Sequence, residues 1–101
     1  MGYNPRDHLI QQPIAGTIDL PVTGTYYRNG TDILSDQGFY IRANPGNSGN
    51  VYLGNTGAIY DDKYGLDAGQ ESHVNIYNVR GIQFVGDSAG DSVHWLKKGV
   101  D

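Results

Sequence analysis

An all-β domain, an antiparallel β-sandwich or small barrel with an extended N-terminal arm, is what this chain predicts. Three observations carry the prediction. Short runs alternate apolar and polar residues with a period of two, Gly, Asn, Asp and Pro bound those runs, and no stretch repeats apolar residues at a 3.6-residue spacing. Several short strands at such spacing indicate a sandwich or barrel.

Residues 1–24 differ from the rest. Pro5, Pro13 and Pro21 recur every eight residues, with Gly16 and Gly24 among them. Proline removes a ladder donor and biases its predecessor towards extended backbone. The even spacing of Ile18, Leu20 and Val22, with Ile14 before them, gives an extended segment one apolar face. Such a segment is either a terminal strand folded onto its own domain or an arm that packs on a neighbouring subunit. The expected division is an arm over 1–24 and a single β-sandwich domain over 25–101.

In TYYRNGTDIL, Asn29-Gly30 predicts a two-residue hairpin. A type I′ turn needs positive φ at both central positions, which Asn and Gly tolerate. Tyr26, Tyr27 and Arg28 would then face Thr31, Asp32 and Ile33. Asn29-Gly30-Thr31 also matches an N-glycosylation sequon, but no apolar signal segment is visible at the N-terminus, so the hairpin reading is preferred. From Gln37 onward the alternation continues. Phe39, Ile41 and Ala43 interleave with Tyr40 and Arg42, and Val51 and Leu53 with Asn50 and Tyr52. Val74 and Ile76 interleave with Asn75 and Tyr77, Ile82 and Phe84 with Gly81 and Gln83, and Val93 and Trp95 with Ser92, His94 and Leu96. Turns are expected at Pro45-Gly46, 55–57, 67–69, 78–81 and 87–90.

Composition narrows the function. At 101 residues the chain holds one domain. Leu, Ile, Val and Phe supply 23 residues, so the core is thin, and stability gained from partners is expected. With no cysteine, disulfides and thiolate chemistry are excluded. Seven Lys and Arg scattered through a chain of net charge −4 make no electrostatic footprint for nucleic acid or an anionic membrane. The apolar runs fall far short of the roughly 20 residues a spanning helix needs.

The loop NPGNSGNVYLGNTG, residues 44–57, holds no lysine or arginine and leads into a strand-like run. It therefore lacks what a phosphate loop requires, and two tight turns around a short strand are expected. Asp61, Asp62, Asp67, Glu71, Asp87 and Asp91 lie in loops but match no calcium-loop pattern. His8, His73 and His94 have no metal-ligand spacing. No GxSxG elbow is present, and no enzyme activity and no cofactor are expected. The tyrosines point elsewhere. Tyr40, Tyr52 and Tyr77 fall opposite the apolar face, where tyrosine serves a solvent face, a protein interface or a carbohydrate platform. Trp95 reads as a core residue or, on the rival reading, as a stacking platform.

The order FYIRANPGNSGNVYLG, then YGLDAGQESHVNIYNVRGIQFVGDSAGDSVHWL, resembles small β-sandwich virion proteins of tailed bacteriophages. The shared pattern is a strand into an Asn/Pro/Gly turn, a VYLG-like strand, a turn into a strand, and a closing hairpin. Here these are Phe39 to Gly54, Gly65 to Ile76 and Ile82 to Trp95, within about residues 37 to 98. The first 24 residues fall outside it and resemble only in style the arms of decoration subunits.

The resemblance implies a β-sandwich in a virion, as capsid decoration or cement protein, head fibre or tail module, with no catalytic residues to carry over. The expected function is a decoration or cement protein on the outer capsid surface, made in the host cytoplasm. Its partners would be the major capsid protein and further copies of itself, with trimers suited to three-fold sites of the shell. The alternatives are a receptor- or glycan-binding module of a tail or fibre and a neck or tail-completion ring protein. The expected contact surface is Ile14, Ile18, Leu20 and Val22 of the arm with Tyr26 and Tyr27.

Overall fold

The computed structural model describes residues 13–55 and 65–99. Among them, strands form where apolar and polar residues alternate: β1 (Ala15–Leu20), β2 (Phe39–Ala43), β3 (Val51–Asn55), β4 (Gly65–Leu66), β5 (Glu71–Val74), β6 (Ile82–Gly86) and β7 (Asp91–Lys97). A 3₁₀ turn, Val79–Gly81, is capped by the Asn78 side chain, which accepts from the Arg80 N–H. Among the described residues no helix is long and apolar enough to cross a membrane.

Two antiparallel sheets result. One has the order β1-β7-β2-β5 and the other β4-β3-β6. Because side chains alternate across each strand, each sheet turns one apolar face inward. Ile18 and Leu20 of β1, Phe39, Ile41 and Ala43 of β2, and Val93 and Trp95 of β7 share one core with Val51, Leu66, Ile82 and Phe84 of the second sheet. Each fully buried side chain of this size contributes roughly 1.5–3 kcal/mol. The expected β-sandwich is the fold observed.

The turns fall largely where Gly, Asn and Asp foretold them. The Asn47 N–H donates to the Asn44 carbonyl around Pro45-Gly46, and the Gln70 N–H to the Asp67 carbonyl. Gly69 and Gly90 sit at φ 80° and 86°, where a Cβ would be strained. Residues 56–64, including Tyr60, Asp61, Asp62, Tyr64 and the turn at 55–57 beyond Asn55, lie outside the described residues.

Three expectations are corrected. Residues 1–12 of the expected arm lie outside the described residues, but Ala15–Leu20 are the first strand of the sandwich, paired along their length with β7. Residue 24 is therefore no domain boundary. Past Pro21 the chain crosses to the other sheet, where the Gly24 N–H donates to the Gly86 carbonyl and Tyr27 bridges Phe84.

Asn29-Gly30 makes no hairpin. Tyr27 on one flank pairs with Phe84 and Leu34 on the other with Asn78, and neither Asn29 nor Gly30 has positive φ. Burial of Ile33 and the ladder bonds to β6 outweigh a local turn preference. Finally, the closing segment Ile82 to Trp95 is not a hairpin. β6 pairs with β3, while β7 crosses to the other sheet and lies between β1 and β2.

Candidate functional site

Among the described residues, the outer face of the four-stranded sheet carries a shallow surface hollow. Its register lays two rows of side chains across the strands. Ala15, Leu96, Tyr40 and His73 form one row, and Thr17, His94, Arg42 and Glu71 the next. Small residues on β1 beside larger ones on β7 and β2 leave a shallow hollow of about 510 Å³ between the rows. Its floor is apolar, with Leu96 45% exposed.

Thr17, Arg42, Glu71 and His94 edge that floor, while Lys98 and His73 stand beside Tyr40 outside the lining. Thr17 Oγ1 and His94 Nδ1 share a hydrogen bond of 2.9 Å. The Lys98 ammonium stands 5.7 Å from the centre of the Tyr40 ring, within cation–π range. The His73 ring lies 5.6 Å from it on another side, and the His73 Nε2–H donates to the Gln37 carbonyl over 3.2 Å. Arg42 and Glu71 are register partners, yet the one ion pair among the described residues joins Arg80 and Asp32 elsewhere.

The Asn- and Gly-rich loop between β2 and β3 turns a corner, as expected, and carboxylates tie it down. The buried Asp91 accepts the Ser48 N–H on one oxygen and the Gly49 N–H on the other, both at 2.9 Å. Asp87 accepts the Asn50 N–H at 2.7 Å and the Tyr52 hydroxyl at 3.4 Å. The Asn47 amide donates to the Ser92 carbonyl and accepts the Ser92 N–H. N–H groups that could cradle an external anion thus already hold the chain's own carboxylates.

A third polar cluster surrounds Asp32. The Asn78 amide donates to its carboxylate at 3.0 Å, and an Arg80 guanidinium nitrogen lies at 3.5 Å. These hold the Asp32 carboxyl below the usual aspartate range, the Asn78 hydrogen bond contributing most. The Asn78 side-chain oxygen also accepts the Ile33 and Arg80 N–H groups, so this cluster pins residues 32–33 to the 3₁₀ turn.

The residues expected to form the contact surface divide. Ile18 and Leu20 are buried in the core, so they cannot meet a partner without unfolding β1. Ile14 and Val22, at the two ends of β1, are 51% and 54% exposed. Tyr26 is exposed, whereas Tyr27 packs against the core. Trp95, 3% exposed, lies edge-on to Phe39 with ring centres 5.9 Å apart and is a core residue, not a platform. Tyr77 is exposed and Tyr40 half-buried, but Tyr52 is buried although it faces away from the core.

Among the described residues no three His, Asp or Glu side chains converge as metal ligands. His8 lies outside those residues, and His73 and His94 both stand on the outer face. What residue-level reading missed is that Thr17, Arg42, Glu71 and His94 share one row. Alternation marked each as the polar side of its strand, but only the pairing register sets them side by side. Comparison with protein-family models, with curated proteins and with solved structures finds no match to this chain.

Proposed function

We propose that this chain is a structural protein of a tailed-phage virion, a decoration or cement subunit that binds the outer capsid surface as a homo-oligomer, with the major capsid protein as its partner. The observation that supports it most is that β1 is an edge strand among the described residues, with Ile14 and Val22 exposed at its two ends. The Ile14 carbonyl accepts from the Lys97 N–H, so the even-numbered residues of β1 turn their backbone groups to β7. In an antiparallel ladder the alternate residues, Ala15, Thr17 and Asp19, then turn theirs outward. An edge of that kind accepts a strand from a neighbouring molecule.

The resemblance gives the reading its setting. Its residues, 39–54, 65–76 and 82–95, supply β2 through β7 and the turns that tie them, which is the scaffold of the domain. On this reading the capsid contact runs through Ile14, Val22 and Tyr26, while Ile18, Leu20 and Tyr27 hold the strand and its crossing in place. Many copies on a symmetric shell would add weak contacts through multivalency.

Immunogold labelling of intact virions with an antibody against this chain tests the proposal. Label distributed over the head supports decoration. Label confined to the tail or neck replaces it with a tail-module or completion-ring role, and virions without label under denaturing as well as native conditions remove the virion assignment.

A further inference from the structure

We infer that Asn29 is a site of spontaneous covalent modification, where the Gly30 main-chain nitrogen attacks the Asn29 side-chain amide and converts it to aspartate and isoaspartate. This site is separate from the β1 edge and stands whether or not the protein decorates a capsid.

Three observations place the reaction at Asn29. The first is room for the attack. Gly30 is exposed, and a Cβ built on it would meet nothing within 4 Å. Glycine leaves its own nitrogen uncrowded and its backbone free to turn that nitrogen towards the side chain. Among the described residues the Gly30 N–H makes no hydrogen bond, so no ladder holds the nucleophile back.

The second is the position of the amide. Asn29 Nδ2 donates to the Thr31 carbonyl over 2.8 Å. That bond reaches past Gly30, so the side chain folds forward along the Gly30 peptide. Groups held close in this way need less ordering to react than groups that must first find each other.

The third is the contrast with other asparagines. Residues 28–32 belong to no strand, although both flanks are tied: Tyr27 exchanges bonds of 2.8 and 2.7 Å with Phe84, and the Ile33 N–H donates to Asn78 Oδ1. Asn44 precedes Pro45, whose nitrogen carries no proton. The N–H after Asn47 is held by Asp91, the one after Asn75 by the Val74 carbonyl, and the one after Asn78 by the Ile33 carbonyl. Asn50 precedes Val51, which is buried, β-branched and in β3.

The reaction needs only water. The Gly30 nitrogen gives up its proton and bonds to Asn29 Cγ. The Cγ–Nδ2 bond breaks, and ammonia leaves with that proton. Water then opens the cyclic imide. Attack at the former side-chain carbonyl gives aspartate, and attack at the main-chain carbonyl gives isoaspartate. Either product sets a carboxylate next to Arg28 in sequence and removes the donor that reached Thr31.

Incubation of the full chain in warm, mildly alkaline buffer, followed over time by tryptic mapping and fragmentation mass spectrometry, tests the inference. Trypsin releases residues 29–42, a peptide whose asparagine is Asn29. The expected result is conversion there, into both aspartate and isoaspartate forms, before Asn44, Asn47, Asn50, Asn75 or Asn78 reacts. The rate at Asn29 in the folded chain should lie within about tenfold of that in the urea-unfolded chain. Gly30→Ala puts its Cβ in open space at a position without positive φ. It should keep the fold by circular dichroism and slow the conversion about tenfold or more. Earlier conversion at another of those asparagines, an Asn29 that reacts in urea but stays intact in the folded chain, or an undiminished rate in a folded Gly30→Ala would each overturn the inference.

Discussion

The indole of Trp95 lies against Gly16, its register partner across the ladder between β1 and β7. A Cβ built on Gly16 would come within 2.6 Å of the ring carbon Cε2. The second sheet repeats the arrangement at its own edge strand, where the Tyr52 ring covers its register partner Gly65. Each glycine thus gives an aromatic ring a place to lie flat across an edge strand, the device known as aromatic rescue. This explains why Tyr52 is buried although it faces away from the core.

Gly16→Ala should therefore be destabilising, although alanine usually suits a strand better than glycine. Overpacking of this kind costs about 1–3 kcal/mol. Urea unfolding followed by Trp95 emission would read both the loss and the displaced ring. An unchanged midpoint and spectrum would show that the ring has room to move. Gly24→Ala gives no such steric clash, since nothing lies within 4 Å of its Cβ position, although its φ of 76° keeps it strained.

The loop after β2 depends on Asp91. Asp91→Ala strands the Ser48 and Gly49 N–H groups that now bond its two oxygens. Leaving such donors without a charged acceptor should cost about 2–4 kcal/mol. Asp91→Asn, which keeps one acceptor oxygen, should cost less. Amide hydrogen exchange at Ser48 and Gly49 should accelerate in both, and wild-type protection at those two amides in Asp91→Ala would refute the role.

Asp32 gives the stability curve a small acid-side slope. Its folded pKa lies below the ordinary 3.8, first through the Asn78 amide and then through Arg80. A group depressed in the folded state stabilises above its unfolded pKa, and that contribution fades as pH falls through the folded value. Asp32→Asn should accordingly be less stable than the wild type at pH 6, and the gap should narrow as pH falls below 3.8. The side chain is exposed, so the effect is modest and should shrink further in high salt. Urea midpoints across that range, for both proteins, check it.

The first strand should respond in two opposite ways. Leu20→Ala removes a fully buried core side chain and should cost about 2–5 kcal/mol. Ile14→Asp with Val22→Asp alters exposed ends and should shift stability by no more than about 0.5 kcal/mol per site. The same pair should reduce co-sedimentation with capsids if the edge of β1 is the contact. Removing residues 13–22 as if they were a detachable arm should unfold the domain, because it deletes Ile18 and Leu20 from the core.

Much of this architecture is written locally. The period of two in FYIRA, ESHV, IQFVG and DSVHWLK marks both the strands and their buried sides, because a pleated backbone alternates its side chains whatever it pairs with. Gly69 and Gly90 mark turns because only glycine enters positive φ without strain. The all-β class, the strand positions and the place of Trp95 in the core follow from such rules.

Pairing does not follow from them. The alternation of Ile18, Leu20 and Val22 reports one apolar face but not what covers it, and tertiary packing assigns the first two to the core and leaves Val22 outside. Asn29-Gly30 holds a hairpin preference of local origin, yet its flanks bond to Phe84 and Asn78 instead. Asp91 is an ordinary turn residue until the fold brings Ser48 and Gly49 beneath it. The hollow is the clearest case. Thr17, Arg42, Glu71 and His94 come from four strands, and only register, set by burial on the opposite face, brings them into one row. The sequence by itself determined which residues face in and where the chain turns, since those depend on nearest neighbours along the backbone. The tertiary structure alone decided which strands meet, and with them the composition of the outer surface, since that depends on contacts between residues far apart in the chain.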